Sequence, residues 1–501
     1  MSEQEIQLHK PYRLHATFLL SEGLSVVKGF IFPIILMWVV NANSDSTFIL
    51  IAKWGLLVIV AGSILLAILQ WFHFRYQFNE QELHIRKGGL NKKEQFIRYH
   101  RIQNVSKTTN IIGKLFRVTT LKLETEASSD ATIHLKMVKR DQANAIQTFL
   151  EAKGKQTDNE LAEQKIDSKT HHYTVTNKEL MKASFTSFSI LALIPILITI
   201  FFNVDEIFSL DGYLESTWDF LKDHWIWLAV SIIILLIISS LFGIVTTFLQ
   251  YGRFEVRSDN DRIYIKKGLL QVKEISLLKS KVQGVSVSKT IIRRWFGIAK
   301  VRLMCAGGEG EGDEAESAVI FPFLSIDRIP ELLPEIIPGF TYSQPEKKLP
   351  RRALWVKLLR PSYFWMFVSV IVFIAWSHLW YVCLILLLLI ILNRLLDYKY
   401  TRYQISDSYT QVEIGGIFNE LTTTGMKKIE EVTLQETWLQ RRAGLASLQI
   451  ATRGKPVEYT FIKDIPREEA RSYYLWFAEL IQKNYQGYTN QQVESENEEE
   501  A

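Results

Sequence analysis

Residues 85–105 read IRKGGLNKKEQFIRYHRIQNV, and the same pattern returns at 265–285 as IKKGLLQVKEISLLKSKVQGV and at 412–432 as VEIGGIFNELTTTGMKKIEEV. Each copy has a glycine, then a glutamine or glutamate at a fixed distance, and then a valine. The shared residues are Gly88, Gln103 and Val105 in the first copy, Gly268, Gln283 and Val285 in the second, and Gly415, Glu430 and Val432 in the third. Because these spacings hold without a gap, the chain contains three copies of one structural unit.

The pattern within each copy predicts a small antiparallel β-domain. The glycine lies between two strand-like segments, where a tight turn needs a residue that tolerates positive φ. RIQNV, KVQGV and KIEEV then alternate apolar and polar residues, as a half-buried strand does. A short helical turn and another alternating strand follow, and each copy ends with a helical pattern such as IPREEARSYYLWFAELIQ. We therefore predict an antiparallel β-barrel or sandwich with a C-terminal helix in each copy.

Each copy also follows apolar sequence that is long enough for a pair of membrane helices. A helix needs about 20 mostly apolar residues to cross the hydrocarbon core. The candidates are 18–40 and 48–72, then 185–203 and 225–249, and then 362–396, which must turn near Ser377 and His378 to form two short spans. The predicted fold class is a membrane protein with α and β parts: six transmembrane helices in three hairpins, each followed by a β-domain.

The charge of the connecting segments predicts the orientation in the cell membrane. Residues 203–224 contain six Asp or Glu and one Lys, whereas the segments after each helix pair are rich in Lys and Arg. Lysine and arginine are retained on the cytosolic side, so we expect both termini and all three β-domains in the cytosol. Two cysteines, Cys305 and Cys383, are too few for a disulfide framework of the secreted kind.

These observations divide the chain into nine parts. They are an N-terminal segment with the first helix pair (1–72), a first β-domain (73–155), a linker (156–184), the second helix pair (185–249), a second β-domain (250–342), a basic juxtamembrane linker (343–361), the third helix pair (362–396), a third β-domain (397–487) and an acidic tail (488–501). The tail is predicted to be solvated because it is almost wholly polar and acidic.

Helix pairs that are each followed by such a domain resemble the membrane-flanked bacterial pleckstrin-homology-like family, and the triplication is most similar to its three-domain membrane-protein members. The resemblance covers nearly the whole chain, and implies a seven-strand domain with a C-terminal helix and no established catalytic activity. The second copy departs from the pattern by its acidic loop GGEGEGDEAE. The first copy departs by Arg117, which stands where the others have Gly297 and Gly444.

The sequence contains no pattern that indicates catalysis. HExxH, paired CxxC, GxSxG and GxxxxGK[ST] are all missing from it, so we predict no catalytic residue, no metal site and no cofactor. His171 and His172 are interpreted as solvated linker residues. The net charge of +5 does not argue for a nucleic-acid partner. Transport is a disfavoured alternative, because the predicted spans 185–203 and 225–249 carry no ionisable residue at mid-membrane.

The functional signal is basic sequence next to the membrane. Residues 86–122 have ten Lys or Arg and one acid, and residues 273–302 have eight and one, but residues 413–442 have four basic and five acidic residues. The candidate lipid-binding residues are Lys92, Lys93, Arg293, Arg294, Lys347, Lys348, Arg351 and Arg352. Such residues bind anionic lipid, bind a phosphorylated or acidic protein, or only set the membrane topology.

We interpret the chain as a non-enzymatic membrane scaffold or binding module. Its expected partner is the lipid bilayer, anionic lipids in particular, and its expected setting is envelope stress or antimicrobial protection. The main alternative is an assembly partner that forms a homo- or hetero-oligomer with a related membrane protein.

Overall fold

The computed structural model describes residues 6–35, 37–38, 46–88, 91–125, 132–155, 170–185, 225–305, 318–340, 342–375, 377–406, 408–453 and 457–482. These residues belong to two compact units, Met1–Lys279 and Ser280–Ala501. The first unit contains the first copy of the repeat and the leading half of the second copy.

The first copy begins with a strand that precedes its helix pair. Its leading elements are β1 (Pro11–Tyr12), α1 (Thr17–Ile35), α2 (Thr47–His73), β2 (Arg75–Phe78), β3 (Glu82–Lys87) and β4 (Lys93–Arg98). The strands form an antiparallel sheet in the order β1-β2-β3-β4, in which Tyr12 faces Tyr76 and Lys87 faces Lys93. The two membrane helices are therefore inserted between neighbouring strands of one sheet.

The trailing half of the first copy covers that sheet. Its elements are β5 (Ile102–Thr109), α3 (Ile111–Phe116), β6 (Val118–Thr125), β7 (Ile133–Lys139) and α4 (Arg140–Lys155). Tyr76 and Ile85 of the first sheet share one core with Leu121 of β6, Leu135 of β7 and Ile146 of α4, and none of the five is more than 1% exposed. Burying one large aliphatic side chain contributes about 1.5–3 kcal/mol, so this core holds the sheets and the helix together.

The second copy also begins with a strand ahead of its helices. Its leading elements are β8 (Thr170–Thr174), α5 (Asn177–Phe185), α6 (Trp225–Tyr251), β9 (Glu255–Ser258), β10 (Arg262–Lys267) and β11 (Val272–Leu278). Strand β11 pairs antiparallel with β5 of the first copy, which gives one seven-stranded sheet in the order β7-β6-β5-β11-β10-β9-β8. The sheet thus continues from one copy into the next.

The second unit repeats this arrangement. It continues the second copy with β12 (Val282–Thr290), α7 (Ile291–Trp295), β13 (Ile298–Cys305), β14 (Val319–Ser325) and α8 (Ile329–Ile336). The third copy then starts with β15 (Lys347–Lys348), α9 (Arg351–Leu359), α10 (Tyr363–Ala375), α11 (Trp380–Tyr400), β16 (Arg402–Ile405), β17 (Tyr409–Ile414) and β18 (Phe418–Gly425). Because β12 pairs with β18, a second seven-stranded sheet forms in the order β14-β13-β12-β18-β17-β16-β15.

The chain closes with a three-stranded sheet in the order β19-β20-β21. Its elements are β19 (Ile429–Gln435), α12 (Trp438–Ala443), β20 (Leu445–Thr452), β21 (Glu458–Pro466) and α13 (467–482). The core of the third copy packs Leu448 and Ile462 of this sheet against Ala353 of α9, Tyr403 of β16 and Phe477 of α13. The third copy is therefore a sandwich with a C-terminal helix, like the first.

Among the described residues, four helical stretches are long and apolar enough to cross a membrane: Thr17–Ile35, Thr47–His73, Arg351–Ala375 and Trp380–Tyr400. Helix α6 is a further apolar helix of 27 residues, whereas the predicted span 185–203 lies almost wholly outside the described residues. In the third pair, α10 and α11 are joined by a 3-10 turn at Ser377–Leu379, and Trp365 Nε1 donates to the Cys383 carbonyl at 2.8 Å. At 1.5 Å per residue, α10 is roughly 20 Å long, which makes it a short span.

The structure differs from the sequence-based boundaries in one systematic way. The segments 1–72, 156–184 and 343–361 each supply the first strand of a domain, namely β1, β8 and β15. Two of these strands are only two residues long, and so short a strand has no alternation that could reveal it. The domains therefore begin before their membrane helices, and 156–184 and 343–361 are more than linkers.

The turn glycines also differ between copies. Gly88 and Gly268 have φ of 127° and 101°, as the predicted turn requires. In the third copy the positive φ belongs to Gly416, at 141°, and not to the aligned Gly415. A Cβ at Gly415 would lie 2.4 Å from the Tyr400 Cβ, so this glycine is needed for close approach to the end of α11.

A candidate lipid site at the base of the first helix pair

A cavity of about 510 Å³ lies where the first helix pair meets the first domain. Four parts of the copy contribute to its wall: the start of α1, the end of α2, the β3–β4 hairpin and strand β7. The lining residues are Leu14, Phe18, Gln70, Phe74, Lys87, Gly88, Asn91, Lys92, Lys93, His134 and Lys136. We call this cavity the basic pocket, because four lysines surround an apolar floor.

The strand register explains why the lysines converge. Lys87 and Lys93 face each other across the β3–β4 hairpin, and Lys92 lies in the turn between them. On β7, side chains alternate between the core and the outer face, so His134 and Lys136 share the exposed face. The hairpin and β7 thus bring cations from two distant parts of the sequence to one cavity.

The surroundings of the basic pocket contain an acid and further basic residues. Glu22 of α1 forms an ion pair with Lys136, whose Nζ also lies 5.8 Å from the centre of the Phe18 ring. Close to the end of α2, burial lowers the pKa of Arg75 below its usual value, and the positive charge of Arg13 lowers it further. This region therefore concentrates positive charge, and an anion that enters it would be stabilised.

The hairpin lysines of the basic pocket are only partly conserved between the three copies of the repeat. Its hairpin lysines Lys87, Lys92 and Lys93 align with Lys267, Val272 and Lys273 of the second copy and with Ile414, Asn419 and Glu420 of the third. Lys267 is only 3% exposed, and its Nζ lies 5.7 Å from the centre of the Tyr251 ring. The aligned positions of the third copy carry no cation, so the three copies differ in the charge they present at this hairpin.

The structure distributes the eight predicted lipid-binding residues over several places. Lys92 and Lys93 line the basic pocket. Arg293 and Arg294 of α7 lie over the Phe323 and Tyr400 rings, with the guanidinium carbon 5.6 Å and 4.8 Å from the ring centres.

The four juxtamembrane candidates lie around the start of α9. Lys347 in β15 forms an ion pair with Glu469 of α13. Lys348, Arg351 and Arg352 are exposed on the surface of the third copy. These residues therefore belong to a different surface from the basic pocket.

The polar repeat residues also serve different local roles. The Gln283 side chain donates to the Lys281 carbonyl at 3.0 Å, and Glu430 is exposed with Arg453 3.5 Å away. The side chain of Gln103 lies outside the described part of the chain. His171 and His172 are residues of β8, and His172 Nε2 lies 2.8 Å from Ser258 Oγ.

Sequence reasoning missed Lys87 and Lys136 as pocket residues. Lys87 could have been found, since it lies next to the repeat glycine in the same hairpin as Lys92. Lys136 could not, because only the pairing of β6 with β7 brings it to the pocket. Within the described ranges, no group of three His, Cys, Asp or Glu side chains could hold a metal ion.

The sandwiches of the first and third copies, each with a helix pair between its first and second strands, define a class of membrane-anchored β-domain proteins. A model of the Bacterial PH domain matches residues 30–154, 199–337 and 358–482, and the chain belongs to this family. It is similar to the UPF0699 transmembrane protein YdbT of Bacillus subtilis (strain 168), with 24% identity over 491 residues that cover 94% of this chain and 99% of the relative. No solved structure matches the chain.

Proposed function

We propose that the chain is a non-enzymatic membrane scaffold whose first domain binds an anionic lipid headgroup in the basic pocket. The observation that carries the proposal is the position of the four lysines at the ends of two membrane helices. At this level a lipid phosphate can meet the lysines while its acyl chains stay beside the helices. Leu14, Phe18 and Phe74 supply the apolar surface that such chains would contact.

The charge difference between the copies supports a specific role for the first one. A lysine near an anionic membrane surface contributes about 1 kcal/mol, so four of them favour an anionic over a neutral headgroup by several kcal/mol at most. General retention of positive charge on the cytosolic side requires basic residues near each helix pair, but it does not require them at this hairpin. The aligned hairpin of the third copy instead has Ile414, Asn419 and Glu420.

The proposal includes six membrane spans and cytosolic β-domains. It is supported by the acidic loop 203–224, by the Lys and Arg content after each helix pair, and by the apolar helices of the fold. Labelling tests this part: in a chain whose Cys305 and Cys383 are replaced by alanine, a single cysteine in place of Lys463, which is exposed on β21, should react with an impermeant maleimide in inside-out vesicles. Reaction in right-side-out vesicles alone would contradict the orientation.

Lipid binding is tested with the purified full chain in detergent, titrated with fluorescent phosphatidylglycerol or phosphatidylcholine. The double variant Lys87→Gln with Lys136→Gln should weaken phosphatidylglycerol binding by about tenfold or more, since two lysines are lost. The matched control, Lys427→Gln with Lys463→Gln, removes two exposed lysines of the third copy and should bind like the parent chain. Equal binding of both lipids, or an unchanged pocket variant, would refute the proposal.

A further inference from the structure

Among the strands that end a sheet in the described part of the chain, β4 and β19 differ from the rest, because their counterparts in other copies pair with a neighbouring copy. By the repeat, β4, β11 and β18 are equivalent strands, and so are β5, β12 and β19. Strand β5 pairs with β11, and β12 pairs with β18. Among the strands that the structure describes, β4 ends its sheet on one side and β19 ends its own, and neither has a partner there.

We call the β5–β11 and β12–β18 pairs, which link neighbouring copies, the internal joints, and both have the same register. Val105 faces Ser276 in the first joint, and Val285 faces Thr423 in the second. Both valines are the shared valine of the repeat, and both partners lie eight positions after the glycine that opens the repeat. A third joint in this register would place Val432 of β19 opposite Phe96 of β4.

The exposure of β4 fits a missing partner. Phe96 is 59% exposed, whereas Ser276 and Thr423 at the equivalent positions of β11 and β18 are 1% and 7% exposed. The ring of Phe96 stacks on His84 with a centroid distance of 4.1 Å, so a large apolar group is held at an open edge. An exposed edge strand offers unpaired N–H and C=O groups to another strand.

The two open edges have opposite charge. Residues 92–98 carry three basic residues and one acid, and residues 429–436 carry three acids and no base. In the shared register, Glu431 would face Ile97 and Glu430 would lie next to Arg98. All three charged side chains are exposed. Opposite charges across an antiparallel pair stabilise it, and like charges destabilise it.

A basic residue on a short helix makes a contact beside each internal joint, and the third copy has the same kind of residue at the aligned position. Lys114 of α3 donates to the Leu269 carbonyl of the second copy, and Arg294 at the aligned position of α7 lies over Tyr400 of the third copy. The aligned residue of the third copy is Arg441, and its side chain is exposed on α12. Each joint made within the chain has such a cation, so the third copy already has the cation for one more.

We infer that β4 of one chain pairs with β19 of a second copy of this chain, in the register of the internal joints, and so joins chains head to tail. The two internal joints form within the chain, and the equivalent edges that remain unpaired, β4 and β19, have opposite charge. The occupant of each edge is therefore the opposite edge of another copy. The contact is heterologous, and two copies that exchange both edges would leave none of these edges open.

Cysteine crosslinking in native membranes tests the pairing and its register. Cys305 and Cys383 are first replaced by alanine in the full chain. Chains with Gln95→Cys and one tag are then co-expressed with chains with Thr433→Cys and another tag, because these two positions would face each other in the shared register. Oxidation should give a disulfide-linked species that carries both tags.

Two matched variants control the result. Ser286→Cys with Thr422→Cys occupies the equivalent pair of the internal β12–β18 joint and should form a disulfide within one chain. Glu94→Cys in place of Gln95→Cys shifts the position by one residue, to the other face of the strand, and should lower the yield with Thr433→Cys about tenfold. Equal yields from positions 94 and 95 would overturn the inference.

The remaining outcomes are also decisive. If Gln95→Cys and Thr433→Cys in one chain form a disulfide within that chain and none between tags, the edges close on each other and the second copy is excluded as partner. If the internal control reacts and the mixed chains do not, the edges do not pair. Glu430→Lys with Glu431→Lys should lower the mixed yield about tenfold, and added Arg98→Glu should restore it.

Discussion

Replacing Asp464 should loosen the third domain where it meets its membrane helices. Asp464 lies in β21, is 0% exposed, and has φ of 63°. Its Oδ1 accepts hydrogen bonds from Arg360 Nη2 at 3.0 Å and from Gln440 Nε2 at 2.7 Å. Arg360 separates α9 from α10, and Gln440 also completes the capping box of α12 with Thr437. One buried carboxylate thus connects the membrane helices, a short helix and the sheet.

Two substitutions at Asp464 separate its contributions. Asp464→Ala removes the carboxylate that accepts from Arg360 and from the buried Gln440, whose Nε2 also donates to Ser447 Oγ, and removing one partner of a buried ion pair costs about 3–5 kcal/mol. Because Arg360 is 39% exposed, water compensates part of this loss, and we expect about 3 kcal/mol, the lower end of that range. Asp464→Asn keeps an oxygen acceptor and a residue type that tolerates positive φ, so it should cost about 1–2 kcal/mol.

Hydrogen exchange of the full chain in detergent measures these costs locally. A loss of 1.4 kcal/mol lowers protection about tenfold, so Asp464→Ala should lower protection in β20 and β21 by about a hundredfold, and Asp464→Asn by about tenfold. Glu468→Ala, on the exposed face of α13, is the matched loss of a carboxylate and should leave protection nearly unchanged. The reasoning is refuted if Asp464→Ala exchanges like Glu468→Ala.

Three further predictions concern the turns, a buried tyrosine and the basic pocket. Gly268→Ala should cost about 1–3 kcal/mol in thermal unfolding of the full chain, because φ is 101° and the new Cβ would lie 2.0 Å from the Gln271 carbonyl oxygen. Tyr99→Phe should cost about 1–2 kcal/mol, because the buried hydroxyl donates to the Asn79 and Glu82 carbonyls at 2.6 and 2.9 Å. Burial raises the pKa of the Tyr99 hydroxyl, the hydrogen bond to Asn79 opposes this, and the charge of Glu82 raises the pKa further, so the folded state favours the neutral phenol. The difference in unfolding free energy between the parent and Tyr99→Phe should therefore be constant below pH 10 and become smaller above it. Denaturation at a series of pH values measures this difference. Phosphatidylglycerol binding should weaken steadily from about 0.05 to 0.5 M salt, and insensitivity to salt would argue against an electrostatic site.

The strand pairing between copies connects neighbouring domains of the repeat. Each internal joint lets a domain share its sheet with the next, so consecutive domains are linked by backbone hydrogen bonds as well as by the chain. The charge difference that separates the first copy from the third concerns both the pocket and the open edges. Lys92 and Lys93 are common to the pocket and the β4 segment, so the tests of the two proposals use other residues: Lys87 and Lys136 for lipid, and Gln95 and Thr433 for pairing.

Local properties of the sequence were enough to predict three copies, the apolar helices of the first and third pairs, and the alternating strands. The first span, the second span and the turn of the third pair are examples, because length and hydropathy along the chain decide whether a helix can cross a membrane. The basic character of residues 86–122 and the mixed character of residues 413–442 were likewise visible from composition alone.

Only the tertiary structure decided which strands are neighbours and which side chains meet. Strand β5 looks the same in sequence whether it pairs within its own copy or with β11, because alternation records which face is buried and not which strand lies beside it. Lys136 reaches the basic pocket only through the sheet that carries β7, and β1 joins the first domain only by pairing with β2 across two membrane helices. Periodicity along the chain determined the elements, and long-range pairing, which no local pattern encodes, determined the pocket and the open edges.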